Sequence, residues 1–163
     1  MLIGVVSDTH GRVPTARKAA VLLESLGVEK IIHCGDIDSP AIPSVFAAWE
    51  THYVQGNNDY DEFALRRAVA EAKGIWHGAQ GSVVWANRTI AFLHGDRPAA
   101  LKAASLNADN SLVCFGHTHC YSLQRNGETV VLNPGALHRA NPYTFAVVDL
   151  ATLDVHRIEV PRE

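Results

Sequence analysis

One pattern constrains the fold of this chain more than any other: short apolar runs recur, and each ends in a cluster of glycine, aspartate, histidine or asparagine. The runs are LIGVV at 2–6, IIHC at 31–34, YVQ at 53–55, IAFL at 90–93, LVCF at 112–115 and VVL at 130–132. Short runs rich in β-branched and aromatic residues, ended by glycine or proline, predict buried β-strands. The chain is therefore expected to build a sheet whose strands end in polar loops.

Helical segments separate the early runs. Residues 14–26 begin with Pro14, which suits a first helical turn, and end before Gly27, a good C-cap residue. Residues 40–49 and 98–106 predict two further helices. This alternation of strands and helices indicates βαβ units around a largely parallel sheet.

The second half of the chain predicts hairpins. Strands at 82–85 and 89–93 flank the turn 86–88, strands at 121–125 and 129–132 flank Asn126-Gly127, and a third pair covers 144–150 and 153–159. Asn-Gly is the strongest short hairpin signal. We expect an α/β chain with two sheets packed face to face and helices outside, in a single domain over residues 1–163.

Composition narrows the classes of partner. Hydrophobic residues make up 47% and charged residues 19% of the 163 residues, which is typical of a globular domain. The net charge of −3 comes from mixed signs, so no basic face for duplex nucleic acid is indicated, although a nucleotide remains an acceptable substrate. An odd count of three cysteines without CxxC predicts free thiols. With no signal peptide and no membrane span expected, the predicted location is cytoplasmic, and the oligomeric state is left open.

The nine histidines raise the question of metal binding, because histidine is the commonest metal ligand. In open α/β sheets, ligands bind at the carboxyl ends of the strands, where the polar clusters of this chain lie. The side chains expected to converge there are Asp8, His10, Asp36, Asn57, His94, His117 and His119. Carboxylate, carboxamide and imidazole donors without thiolate suit Mn²⁺, Fe or Zn²⁺ better than Ca²⁺ or an iron–sulfur cluster.

Seven donors are too many for one such ion and suit two ions that share a carboxylate. Two metals roughly 3.5–4 Å apart can hold a bridging hydroxide and clamp a phosphoryl group for in-line attack. The loop glycines Gly35, Gly56, Gly95 and Gly116 leave room for the backbone to approach the metals or the phosphate.

The ordered set DTH, GD, GNND, HGD and GHTH resembles the calcineurin-like metallophosphoesterase superfamily, and the short chain is most similar to its small bacterial and archaeal phosphodiesterases. The match spans Asp8 to His119, with Asn133-Pro134-Gly135 as a further family-like element. The resemblance implies a four-layer αββα sandwich of two mixed sheets flanked by helices.

The resemblance also implies a division of the ligands. Asp8, His10 and His119 would hold the first metal, Asn57, His94 and His117 the second, and Asp36 would bridge them. The expected cofactors are two divalent transition metal ions, with Mn²⁺ preferred over Ni²⁺, Fe or Zn²⁺.

One position departs from the family pattern. Many larger members carry a histidine after the motif asparagine, where it contacts the phosphate and is often assigned as the acid for the leaving group. Here that position is Asn58, which can donate a hydrogen bond but cannot transfer a proton at neutral pH. Asn58 and His10 remain the candidate catalytic side chains, and substrates whose leaving group needs little help are favoured.

The expected function is therefore a metal-dependent phosphodiesterase that acts on small phosphate esters, a class that includes nucleotide-like ones. Two alternatives stay open: a phosphomonoesterase or nucleotide pyrophosphohydrolase, for which Arg12, Arg97 and Arg139 would supply extra positive charge, and a non-catalytic scaffold of the same fold. Four histidines outside the motifs are interpreted as structural, and four residues in or near the motifs as either supporting or peripheral. The first set is His33, His52, His77 and His156, and the second is Asp59, Asp96, Arg97 and His138.

Overall fold

The computed structural model describes residues 1–162. Strands and helices alternate in its first half, and strands dominate its second. In chain order the elements are β1 (Leu2–Val6), α1 (Val13–Ser25), β2 (Lys30–His33), α2 (Ala41–Val45), β3 (Glu50–Tyr53), α3 (Glu62–Glu71), β4 (Ile75–Trp76), β5 (Gln80–Trp85), β6 (Arg88–Leu93), α4 (Pro98–Leu106), β7 (Leu112–Cys114), β8 (Ser122–Asn126), β9 (Thr129–Asn133), β10 (Tyr143–Asp149) and β11 (Asp154–Val160).

The strands form two mixed sheets. The first has six strands in the order β11-β10-β1-β2-β3-β4, in which β1 to β4 run parallel and the last two strands of the chain are antiparallel additions. The second has five strands in the order β5-β6-β7-β9-β8, with a parallel centre of β6, β7 and β9 and antiparallel edges. Each sheet thus presents a row of parallel carboxyl ends.

Three apolar layers hold the elements together. Side chains such as Val5 and Phe92 fill the space between the two sheets. Leu23 of α1 and Leu65 of α3 pack on the outer face of the first sheet. The alanine-rich face of α4 covers Val113 and its neighbours on the second sheet. The predicted four-layer sandwich is confirmed.

Helix α1 shows how a local signal sets an element boundary. Pro14 lies in its first turn, and Gly27 follows its end with a φ of 71°. The Gly27 N–H donates to the Glu24 carbonyl (3.0 Å) and the Val28 N–H to the Leu23 carbonyl (3.1 Å), a double C-terminal cap that favours glycine. The helix ends there, and the chain then enters β2, which pairs with β1 in parallel.

The expectation of a helix over 40–49 was wrong in length, because α2 covers only Ala41–Val45. Beyond it, Phe46, Ala47 and Trp49 donate N–H bonds to carbonyls three residues earlier, so the chain forms turns before β3 starts. Helix α3 and the two-residue β4 were not predicted. For α3 a signal was present: the Asp61 side chain accepts from the Ala64 N–H (3.0 Å), an N-cap ahead of a helical apolar pattern.

The three predicted strand pairs are present, with ends shifted by one or two residues. The first turn is shorter than expected: only Ala86 and Asn87 lie between β5 and β6, both with positive φ. All three cysteines are free, as predicted, and Cys34 and Cys114 are buried. Within residues 1–162 no helix has the length and apolar character needed to span a membrane.

Candidate metal centre

The seven predicted ligands lie on loops that follow strands of both sheets. Asp8 and His10 follow β1, Asp36 follows β2, Asn57 follows β3, His94 follows β6, and His117 and His119 follow β7. Because these strands are parallel within each sheet, their carboxyl ends reach the same edge of the sandwich. The structure brings all seven side chains together there.

Asp8, His10, Asp36 and His119 form what we call the first group. One donor atom from each lies within 4.8 Å of the others. Nε2 of His10 is 3.2 Å from Nε2 of His119 and 3.6 Å from Oδ2 of Asp36, and Nε2 of His119 is 3.3 Å from Oδ1 of Asp8. Four ligand atoms thus face one small space.

Asn57, His94 and His117 form the second group, to which Asp36 also belongs. Oδ1 of Asn57 lies 3.0 Å from both Nε2 of His94 and Nδ1 of His117. Nε2 of His94 is also 3.4 Å from Oδ2 of Asp36. The same Asp36 oxygen therefore faces both groups, which is the position the resemblance implied for a bridging ligand.

The backbone at the ligands is unusual. Five of the seven have positive φ: Asp8 (54°), His10 (44°), Asp36 (54°), His117 (68°) and His119 (58°). Non-glycine residues rarely adopt this region, and such strain concentrates at functional sites because it re-aims side chains. Here the positive φ lets ligands two residues apart in the chain, Asp8 with His10 and His117 with His119, direct their side chains to the same site.

Three histidines are oriented by their second ring nitrogen. Nδ1–H of His10 donates to Oδ2 of Asp38 (2.8 Å), that of His94 to the Cys34 carbonyl (2.8 Å), and that of His119 to the Arg139 carbonyl (3.3 Å). Donation from Nδ1 leaves Nε2 as the nitrogen that can bind a metal, which is how metal-binding histidines are usually held.

The charge distribution favours a cation at the centre. Burial by itself raises the pKa of Asp36, but hydrogen bonds from His94 and Asn58 outweigh it and hold that pKa below its usual range. Burial opposes protonation of His94, yet Asp36 raises the pKa of His94 to about 9. The Asp8 carboxylate likewise raises the pKa of His119.

One ligand oxygen has no hydrogen-bond partner in the described part of the chain, which also fits a bound metal. Oδ1 of Asp8 is buried and accepts no hydrogen bond of good geometry from residues 1–162. A buried anionic oxygen without a partner is costly, and a bound cation removes that cost. The loops are shaped for the same ligands: a Cβ on Gly56 would collide with Asp36, and one on Gly116 with Ser7 and Asp8.

Two residues position the ligand loops: Asp59, which the sequence left open between a supporting and a peripheral role, and Asn133, to which it assigned no contact. Asp59 accepts bonds from the Ile37, Asp38 and Gly56 N–H groups (2.7–2.8 Å), which ties the loop of Asp36 to that of Asn57. Asn133 donates to the Gly116 carbonyl (2.7 Å) and to Oγ1 of Thr118 (3.0 Å), which holds the loop of His117 and His119. The GNND and NPG motifs were the available signals.

Asn58 contacts the shared carboxylate directly. Its N–H donates to Oδ1 of Asp36 (2.9 Å) and its Nδ2 to Oδ2 (2.8 Å). The carboxamide therefore lies beside both groups, where it orients Asp36. Its proposed catalytic role toward a phosphate, like that of His10, stays a prediction.

The remaining histidines divide by position. His138 packs edge-on against His10, with ring centroids 5.6 Å apart, so it lines the site. His33 is buried behind the ligand loops. Its Nε2 is 3.1 Å from Oγ1 of Thr9, and its Nδ1 accepts a hydrogen bond from the Gly35 N–H (3.2 Å). Burial lowers the pKa of His33 to about 3. His52 and His77 pair with each other away from the ligands (2.8 Å), and His156 is on β11.

The site consists of two adjoining clusters of carboxylate, carboxamide and imidazole groups, and it lies at the edge where the two mixed sheets meet. These features are those of a metal-dependent hydrolase. Residues 1–153 match the calcineurin-like phosphoesterase superfamily domain. The chain belongs to that superfamily, as its motifs predicted.

Individual relatives cover nearly the whole chain. A phosphodiesterase of Methanocaldococcus jannaschii is 30% identical over 98% of this chain and 96% of its own length. The solved structure of an archaeal phosphodiesterase superposes with a TM-score of 0.90 at 27% identity, covering 98% of this chain and 99% of the other.

The fold is also shared more widely. Vps29 of Entamoeba histolytica, solved with Zn²⁺, has a TM-score of 0.66 at 16% identity and covers 99% of this chain and 100% of its own. At that identity the likeness concerns the fold alone. What this chain does must therefore be argued from its site.

Proposed function

We propose that this protein is a dinuclear metal-dependent phosphodiesterase that hydrolyses small, nucleotide-like phosphate esters. The observation that carries the proposal is the position of Asp36, whose Oδ2 lies 3.6 Å from Nε2 of His10 and 3.4 Å from Nε2 of His94. One carboxylate oxygen between two sets of nitrogen and oxygen donors suits a pair of ions better than a single ion.

Each of the two groups would bind one ion. Asp8, His10 and His119 would bind one and Asn57, His94 and His117 the other, with Asp36 common to both. Two bound divalent cations supply Lewis acidity toward the phosphoryl oxygens and a water with a lowered pKa. Imidazole with carboxylate and carboxamide favours Mn²⁺, with Ni²⁺, Fe or Zn²⁺ as alternatives.

The protein's own contribution is orientation. Asp38 and the Cys34 carbonyl fix the ring planes of His10 and His94, and Asn58 fixes Asp36 with two hydrogen bonds. Preorganised ligands need little rearrangement when the ester binds, which is how such sites lower an activation barrier. Asn58 offers no proton to a leaving group, so esters with good leaving groups are favoured.

Monoester hydrolysis is the second candidate. A monoester carries more negative charge than a diester, and three arginines lie on the loops of the site. Arg97 lines a cavity next to Asn57, Arg12 is two residues from His10, and the Arg139 carbonyl accepts a hydrogen bond from His119. The scaffold alternative is less favoured because each of the seven ligand positions carries a side chain able to bind metal.

The test is a panel of phosphodiesters, phosphomonoesters and nucleoside polyphosphates with Mn²⁺, Mg²⁺, Zn²⁺ and Ni²⁺, run on the wild type and on Asp36→Asn. We expect highest kcat/KM on diesters and loss of activity in Asp36→Asn with every metal. Full activity in that variant would refute the shared-carboxylate site. Tight binding of metal without hydrolysis of any ester would favour the scaffold.

A further inference from the structure

A cavity of about 320 Å³ opens directly beside the second group. It is lined by Gln55, Gly56, Asn57, Asp59, Tyr60, Ala79, Asp96 and Arg97. Asn57 belongs to both the cavity and the candidate ligand set, so a substituent of a phosphoryl group bound at the site has this space within reach. The volume is at the lower end of those that hold small organic ligands, roughly 300–1,000 Å³.

The side chain of Tyr60 distinguishes this cavity. It is 87% exposed, which is unusual for a tyrosine, yet its position is constrained. Its N–H donates to the Asn58 carbonyl (2.9 Å) and its hydroxyl to Oδ1 of Asn58 (3.4 Å). An aromatic ring tethered beside the site and left uncovered presents a face on which a planar group can stack.

The polar side chains of the cavity argue against a second phosphate as its occupant. Among residues 1–162, neither the Asp96 carboxylate nor the Arg97 guanidinium forms an ion pair or a side-chain hydrogen bond. The Asp96 carboxylate can accept and the Arg97 guanidinium can donate hydrogen bonds, so together they suit a neutral group that carries both donors and acceptors. Another anion would be attracted by Arg97 but repelled by Asp96.

From these features we propose that the cavity is a subsite for the planar organic group of the substrate, of the nucleobase class, with Tyr60 as its stacking surface. The proposal rests on the phosphodiesterase function proposed above and names the kind of diester that the site selects. Asp96 and Arg97 supply the acceptor and the donor for the edge of the base or for sugar hydroxyls.

The experiment compares two diesters with the same leaving group, thymidine 5′-(4-nitrophenyl phosphate) and methyl 4-nitrophenyl phosphate. They differ only in the group that stays on the phosphate, so the ratio of their kcat/KM values isolates the subsite. For the wild type with Mn²⁺ we expect a ratio of roughly ten or more in favour of the thymidine ester, as base–aromatic stacking provides. Tyr60→Ala should bring this ratio close to one, mainly through KM.

Two further variants serve as controls. Phe63→Ala removes a neighbouring aromatic ring that is 81% exposed but does not line the cavity, and it should keep the wild-type ratio. Tyr60→Phe keeps the ring and loses only the hydroxyl, and it should keep most of the preference. A loss in Tyr60→Phe as large as in Tyr60→Ala would overturn stacking as the cause.

Other outcomes separate this proposal from the one it rests on. If neither ester is hydrolysed by the metal-loaded wild type, the phosphodiesterase function fails. If both are hydrolysed but Tyr60→Ala leaves the ratio unchanged, only the subsite fails. A ratio that collapses in Arg12→Ala instead would move the organic group to the cavity beside His10, which Gly11, Arg12 and Lys18 help to line, and would also refute the assignment to Tyr60.

Discussion

The two ligand groups share Asp36 but differ in burial and in charge. In the first group Asp8 is fully buried and Asp36 is 2% exposed, and the two histidines are partly covered. In the second group His94 is buried, whereas Asn57 and His117 are exposed. The first group has two carboxylates, and the second has only the shared one beside a neutral carboxamide.

The difference in burial and charge predicts that the two groups bind metal with unequal affinity. Two carboxylates shielded from water attract a cation more strongly than one carboxylate at the surface, because electrostatic attraction grows as solvent is excluded. We therefore expect the first group to bind its metal ion more tightly than the second. The second group is open to solvent and next to the Tyr60 cavity, so we expect an ester to enter from that side.

The largest effect is expected for Asp8→Asn, which keeps the volume of the side chain and removes its charge. Loss of a residue that only orients a ligand already costs roughly 10–100-fold in metal affinity, so loss of the negative charge of a buried ligand should cost more than about hundredfold. Metal content after dialysis, together with the Mn²⁺ dependence of activity, measures this. A variant that retains wild-type metal content would contradict the greater strength of the first group.

A smaller effect is expected for His117→Ala, in the exposed group. Half-saturating Mn²⁺ should rise roughly 10–100-fold, and excess Mn²⁺ should restore much of the activity because Asn57, His94 and Asp36 remain. The measurement is a titration of kcat/KM with Mn²⁺. Should His117→Ala lose as much metal as Asp8→Asn, the asymmetry between the groups would be wrong.

The smallest effect, a gain, is expected for Asn58→His, which places a proton donor between the groups. Turnover should rise several-fold on diesters with poor leaving groups and change little on nitrophenyl esters, short of the roughly 10²–10⁴-fold of a well-placed general acid. Rates on phenyl and nitrophenyl diesters give the comparison. Unchanged or lower rates on the phenyl ester, with metals still bound, would count against proton donation as the missing step.

Much of the fold was predictable because it rests on local signals. Strand runs that end in Gly or Asp, the Pro14 and Gly27 boundaries of α1, and the turn signals of the hairpins each depend on a few neighbouring residues. The length of the second helix was overestimated, because the chain must leave the helix early enough to turn and enter β3 at Glu50. The two-residue β4 is a strand only through its pairing with β3.

The candidate ligands were also predicted from the chain alone, because each lies within four residues of the end of a predicted strand. What could not be predicted was the support around them. Asp59 spans two loops, and Asn133 holds a third from another strand of the second sheet. Contacts between distant segments leave no periodic signal in the sequence. An aspartate such as Asp59 therefore looks the same whether it caps a nearby helix or binds a distant loop.

Residue type and short spacing were thus enough to predict the alternation of elements, the family and the seven candidate ligands. Only the tertiary structure decided that Asp36 faces both groups, that one group is buried and the other open, and that Tyr60 borders a cavity beside Asn57. The physical reason is that burial and distance depend on how the two sheets pack, and packing joins residues that lie far apart in the chain.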